Sequence, residues 1–136
     1  MPFEPELVAE TQSWLRKAAE DLRAANFETQ ADPPLAADIV FHAQQAAEKS
    51  LKGFLTWHRQ TFRKTHSIEE IGEQCLSIDG SLGPLIDRAA PLTEYAWRFR
   101  YPGDSDAPAP EEFLQALAVA REVYGAVLLL LPPDDR

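Results

Sequence analysis

The sequence predicts an all-α protein, an antiparallel up-and-down four-helix bundle with one additional short helix. Three observations carry that expectation. Apolar residues return at spacings of three and four through four long stretches, no stretch alternates with the period of a strand, and the breaks between stretches are short and rich in Pro, Gly and Asp. No internal repeat is visible, and 136 residues suit a single domain spanning 1–136 around one core.

Leu7, Trp14, Ala18, Leu22 and Ala25 set a first amphipathic helix over residues 6–27. Asp32, Pro33 and Pro34 read as a turn and helix start, because Asp caps free N–H groups and Pro is tolerated in a first turn. The second helix then runs to Trp57 and contains the most informative stretch, F-H-A-Q-Q-A-A-E-K-S-L-K at 41–52, with no Gly, no Pro and three alanines. His42, Gln45, Lys49 and Lys52 fall within roughly a quarter turn of one another, opposite an apolar stripe of Val40, Ala43, Ala47, Leu51 and Phe54. Glu48 can pair with Lys52 four residues on, whereas Lys49 meets only Gln45 and Gly53 at that spacing and needs an anion from elsewhere.

After a basic connector at 58–65, Ser67-Ile68-Glu69-Glu70 fits the S-x-x-E capping box and opens a short third helix ending near Leu76. A turn at 79–83 leads into Leu82, Leu85, Ile86, Ala89, Leu92, Tyr95, Ala96 and Phe99, again at helical spacing. Pro91 should kink or split this fourth helix, since it has no N–H to reach residue 87, and Pro102 closes it. Residues 103–110, G-D-S-D-A-P-A-P, form an acidic loop expected to be mobile. Pro110, Glu111 and Glu112 open a last helix carrying Phe113, Leu117, Ala120, Tyr124, Val127 and Leu131, which Pro132 and Pro133 stop.

Composition narrows the function classes. With 45% hydrophobic residues, seven Phe, three Trp and three Tyr, the chain has the makings of a folded core. The lone Cys75 excludes an internal disulfide framework and a Cys-based zinc site, and it reads as a small buried residue. No basic-then-apolar leader opens the sequence, and the longest apolar run, 126–131, is too short to cross a bilayer. A soluble, cytoplasmic protein away from membranes is the expectation. A net charge of −9 argues against broad coating of nucleic acid, yet residues 42–66 carry Lys49, Lys52, Arg59, Arg63 and Lys64 against Glu48 alone, a basic island of +4 in a remainder of −13.

Several chemistries lack their residues. Neither G-x-G-x-x-G nor a P-loop occurs, the histidines at 42, 58 and 66 lack metal-ligand spacing, and no cofactor or metal is expected. Glu69 with Glu70 and Glu111 with Glu112 sit in first helical turns, where the helix dipole accounts for them. Trp14 and Trp97 read as core or dimer-interface residues rather than base stackers, and for Trp57, beside the basic connector, both uses stay open.

Four blocks, in order and at these separations, carry a family resemblance: W-L-R-K-A-A-E-D-L at 14–22, F-H-A-Q-Q-A-A-E-K-S-L-K at 41–52, Thr65-His66 before the short helix, and Arg100-Tyr101-Pro102 closing the fourth. Over nearly its whole length the chain resembles the HEPN domains (higher eukaryote and prokaryote nucleotide-binding). The resemblance implies an all-α bundle, commonly a homodimer, often encoded beside a minimal nucleotidyltransferase in a toxin–antitoxin-like pair, with nucleotide or RNA as the ligand class. Many relatives are metal-independent ribonucleases with an R-x(4–6)-H motif at the helix matching 98–102. Here no His follows Arg98 or Arg100 at all, so no residue is assigned to catalysis. Arg59 and His66 have the motif's spacing but lie in the connector, away from the family position.

The ligand-binding expectation, for a nucleotide or other anion, therefore rests on Gln45, Lys49, Lys52, His66, Arg98, Arg100 and Tyr101, with His42 along the wall of a cleft between the second and fourth helices. The same side chains have a competing use, pairing with Asp21, Glu48 or Glu94 in a network that fixes the bundle. Function is read as a nucleotide- or anion-binding, homodimeric partner of a minimal nucleotidyltransferase, the alternatives being a ribonuclease with an atypical active site and a structural dimerisation module.

Overall fold

Small residues along one helix set the architecture. The computed structural model describes residues 3–103 and 107–133, so residues 104–106 of the acidic loop lie outside the described residues. Among the described residues there are five α-helices, α1 Pro5–Thr29, α2 Ala36–Trp57, α3 Ile68–Leu76, α4 Gly83–Ala89 and α5 Pro110–Leu130, and no strand. Short 3-10 segments, Gly80–Leu82 and Ala90–Ala96, flank α4.

α2 is the central element, contacting α1, α3, α5 and the Ala90–Ala96 segment. Its Ala43, Ala46 and Ala47 are fully buried, and at Gly53 an added Cβ would lie 3.2 Å from Cβ of Trp14. These short side chains let α1 and α5 approach closely, and Ile39, Val40, Leu51, Phe54 and Leu55 fill the space between. α1 offers Leu15, Ala18 and Ala25 to this core, and α5 offers Phe113, Leu117, Ala120, Val123 and Val127.

Three sequence expectations change in detail. α2 starts at Ala36, with Leu35 at the cap and no side-chain capping bond, instead of at Asp32. Pro34 keeps Pro33 out of the helical region, so helix begins only beyond the two prolines. The capping box of α3 is half formed: Ser67 Oγ accepts from Glu70 N–H at 3.3 Å, but Ser67 N–H goes to Thr65 Oγ1 at 3.0 Å. The fourth helix is not long. It ends at Ala89 and tightens into the 3-10 segment around Pro91, whose missing N–H and ring disrupt the α-helical ladder.

Two further observations concern the tryptophans and the last helix. Trp97 is 55% exposed, outside the core, while Trp57 is half-buried edge-on against Phe3, with 4.6 Å between ring centroids. The short apolar run at 126–131 belongs to a longer element, since α5 as a whole is long and apolar enough by composition to cross a membrane; its buried residues pack on α2 and α4, while Leu114, Leu129 and Leu130 remain exposed.

α3 is seated through Gly72. A Cβ at that position would fall 2.5 Å from Cγ2 of Ile86, a buried branched side chain with little freedom to retreat. Gly72→Ala gains about 1 kcal/mol of helix propensity but should lose more to overpacking, about 1–3 kcal/mol. Urea unfolding should show a lower midpoint for the variant; an equal or higher midpoint would mean that α3 and α4 are not packed this closely.

Candidate functional site

The polar residues of α2 divide into two ladders with different neighbours. His42 and Lys49 turn toward α1, where Asp21 lies 92% out of solvent. Asp21 Oδ2 accepts from Lys49 Nζ at 2.7 Å, and its Oδ1 lies 2.9 Å from His42 Nδ1. The anion that Lys49 lacks within its own helix thus comes from α1. His42 Nε2 also lies 3.7 Å from Glu28, whose Oε1 is buried without a hydrogen-bond partner. The hydrogen bond to Asp21 raises the His42 pKa above its ordinary value against the opposing effect of burial, and Glu28 adds to the rise. Burial raises the Glu28 carboxyl as well.

The second ladder, Gln44, Glu48 and Lys52 at successive i,i+4 positions, faces inward. Glu48 is 3% exposed and accepts from Lys52 Nζ at 2.9 Å and Gln44 Nε2 at 3.0 Å, while His66 Nδ1 lies 2.8 Å from its Oε1. Gln44 Nε2 also reaches the backbone carbonyl of His66 at 3.2 Å, and Gln45 Nε2 donates to Gln44 Oε1. The Lys52 ammonium sits between the rings of Trp14 and Phe62, 5.7 and 5.6 Å from their centroids. Burial alone would raise the Glu48 pKa, but Lys52, Gln44 and His66 outweigh it and hold the carboxyl below its usual range. The His66 ring itself remains mostly exposed.

The chain leaving the 3-10 segment supplies the remaining groups. Arg98 pairs with Glu94 at 2.6 Å and lies over the Phe99 ring. Phe99 adopts a φ of 69°, unusual for a bulky residue, and this reversal sends Arg98 and Arg100 in different directions. The Arg100 guanidinium stacks on Phe41 of α2 with its carbon 3.6 Å from the ring centroid. Tyr101 is 66% exposed.

Of the seven residues expected to bind ligand, Lys49, Lys52 and Arg98 are ion-paired to Asp21, Glu48 and Glu94. Gln45, His66 and Arg100 gather along α2, since Phe41 beneath Arg100 and Glu48 beneath His66 lie two turns apart on the same side of the helix. Sequence reasoning passed over Gln44 and Phe41. The Gln44-Glu48-Lys52 spacing signalled the first; nothing local signalled the second, whose role depends on the distant Arg100.

Other chemistry is disfavoured by environment. Burial pushes the Cys75 thiol up to about 12, which keeps it protonated and unreactive, and among the described residues no His, Cys, Asp and Glu cluster could hold a metal ion.

Compared with known proteins, the chain matches the family model described as HEPN domain over residues 11–130. No curated protein and no solved structure matches it.

The inward ladder should be intolerant of single truncation. Lys52→Ala leaves a buried carboxylate short of its countercharge and should cost about 3–5 kcal/mol, whereas Glu48→Gln with Lys52→Met should recover most of that. Equal stability of the single variant and the wild type in urea would show that the pair is solvated.

The outward ladder should be read by pH. His42 holds its proton more tightly folded than unfolded, so its contribution is fully present below its ordinary pKa of 6.5 and is lost as pH rises through the higher folded value. The His58 pKa is lowered by burial, which acts oppositely in the same window, so the comparison is made against His42→Gln. Unfolding free energy from pH 6 to 8.5 should fall more steeply in the wild type than in His42→Gln; parallel curves would sink this assignment.

Proposed function

The chain belongs to the HEPN family, and on that footing we propose that it binds a nucleotide or related phosphate-bearing anion along the exposed edge of α2, as a homodimeric, non-catalytic partner of a minimal nucleotidyltransferase in the cytoplasm. The observation that supports this reading most is Arg100. Its guanidinium lies flat on Phe41, among the described residues no acid pairs with it, and stacking leaves the edge with its N–H donors turned toward a ligand. Phe41 shields one face of the cation and strengthens its contacts with an oxyanion.

Gln45, His66 and Tyr101 complete the ligand surface in this reading. Lys49, Lys52 and Arg98, each neutralised by a carboxylate, hold the surrounding frame and supply field more than contact. The non-catalytic part follows from the family pattern: the histidine of R-x(4–6)-H is missing after Arg100. Phe27, Leu114 and Leu129, exposed on α1 and α5, are the side chains a homodimer would cover.

Calorimetric titration with ATP tests the ligand. Arg100→Ala should weaken binding by roughly 10- to 100-fold, the loss of a charged hydrogen-bonding group, while thermal stability changes little. Unaltered affinity in the variant would remove Arg100 from the site. Sedimentation of the same wild-type sample should read twice the 15.2 kDa chain mass, and a monomer at all concentrations would discard the dimer.

A further inference from the structure

His66 differs from the other polar residues on this edge because only one side of its ring is in use. Nδ1 lies 2.8 Å from Glu48 Oε1, the carboxylate is 4% exposed, and the imidazole side chain is 61% exposed. The backbone does not need the ring for anchorage, since Gln44 already ties the His66 carbonyl to α2. The ring is therefore oriented from below by a buried carboxylate, with Nε2 turned to solvent.

The state of Glu48 decides what Nε2 can do. Lys52 donates to Oε2, while Gln44 donates to the same Oε1 that faces His66. A carboxyl supplied with an ammonium and an amide donor is ionised, in keeping with its lowered pKa, and an ionised carboxylate only accepts. Nδ1 must then carry the hydrogen, and in a neutral imidazole Nε2 is left with a lone pair and no proton. Such a nitrogen accepts hydrogen bonds. It repels the oxyanion that Arg100 attracts.

We propose that His66 is a specificity-determining residue whose Nε2 accepts a hydrogen bond from an O–H or N–H group of the bound ligand, with Glu48 as its positioning residue. Two unlike readers thus line α2: Arg100, donating to an oxyanion, and His66, accepting from a hydroxyl or amino group. Their supports, Phe41 and Glu48, are separated by two turns, roughly 10 Å along the axis. A nucleoside phosphate carries both chemistries, phosphate at one end and ribose hydroxyls or a base amino group at the other; inorganic phosphate carries only the first. The inference rests on the nucleotide reading above and adds to it the group by which the ligand is recognised.

The test uses the full chain labelled with nitrogen-15 in histidine, titrated at neutral pH with ATP, purine riboside triphosphate, 2′,3′-dideoxy-ATP and inorganic triphosphate. Before ligand is added, the His66 ring should show the Nδ1–H tautomer. ATP should move the Nε2 resonance and bind at least tenfold more tightly than inorganic triphosphate. Loss of that margin with purine riboside triphosphate places the donor on the base amino group, and loss with the dideoxy compound places it on the ribose. His66→Ala should bring ATP down to the weaker analogue while leaving inorganic triphosphate unchanged. An Nε2–H tautomer, or equal binding of all four compounds, overturns the proposal and leaves the Arg100 site standing. If none of the four binds, the nucleotide reading fails and this inference falls with it.

Discussion

Glu48 is a charge in the middle of the bundle, and much of the surrounding structure answers to it. Transferring a carboxylate from water to an apolar interior is unfavourable by several kcal/mol unless donors replace the lost solvent. Here the replacements come from different parts of the chain: Lys52 and Gln44 from its own helix, His66 from the connector that precedes α3. Trp14 of α1 and Phe62 of the connector close around the Lys52 ammonium. One buried carboxylate thereby fixes α1 against α2 and brings the connector onto both. The backbone N–H of Ile68, two residues past His66, continues the arrangement by donating to Thr93 Oγ1 in the 3-10 segment. Apolar burial supplies the driving force for collapse, but it does not distinguish one register of these pieces from another. The polar ladder does.

What the sequence disclosed depended on the range of the interaction. The five helices, the Ser67 cap and the break at Pro91 are governed by contacts within a turn or two, so period and punctuation were enough to find them. The Glu48 and Lys52 pair was legible for the same reason. The partner of Lys49 was not fixed by local spacing, because Asp21 lies 28 residues away and its approach requires the α1–α2 hairpin to close in one register. Treating His42, Gln45, Lys49 and Lys52 as one stripe also missed that an arc of about a quarter turn can straddle two environments when helices pack on both sides. His42 and Lys49 belong to the α1 side; Lys52 belongs to the interior. The Arg100 contact was least visible, since it depends on a backbone reversal at Phe99 that no propensity favours.

Among the described residues two other than glycine occupy the left-handed region, Arg59 at φ 60° and Phe99 at φ 69°. Arg59 has a structural explanation: its N–H bonds the Thr56 carbonyl, and Gln60 N–H bonds Leu55, the paired bonds that terminate a helix around a left-handed residue. Glycine would serve there at lower conformational cost. Phe99 has no such terminal role. Its ring stacks on Tyr95 and carries Arg98 above it, so the strained residue also fills space, and the reversal of direction delivers Arg100 to Phe41. Strain of this kind, on the order of 1–3 kcal/mol, persists only where surrounding contacts over-determine it. Here those contacts are aromatic, and their consequence is the placement of a guanidinium on the central helix.

In the proposed site, the division between neutralised and available groups separates frame from ligand contacts. Lys49, Lys52 and Arg98 each meet a carboxylate within 3 Å, and a ligand phosphate would have to displace or share that partner. For Lys49 and Lys52 such competition favours the internal anion, which is already desolvated and positioned, over a ligand that must give up its own hydration; the Arg98–Glu94 pair lies at the surface and competes less strongly. Arg100 meets a ring face instead, and the quadrupole of Phe41 stabilises the cation without occupying its hydrogen-bonding edge. His66 is the mirror case, bonded on one nitrogen and open on the other. A basic island in the sequence therefore does not become a uniformly basic surface when folded. Lys49 and Lys52 are drawn into the frame while Arg59, Arg63 and Lys64 stay exposed on the connector, and in the proposed site the contacts at the edge of α2 are a directional pair, Arg100 and His66, that would select by hydrogen-bond polarity more than by charge.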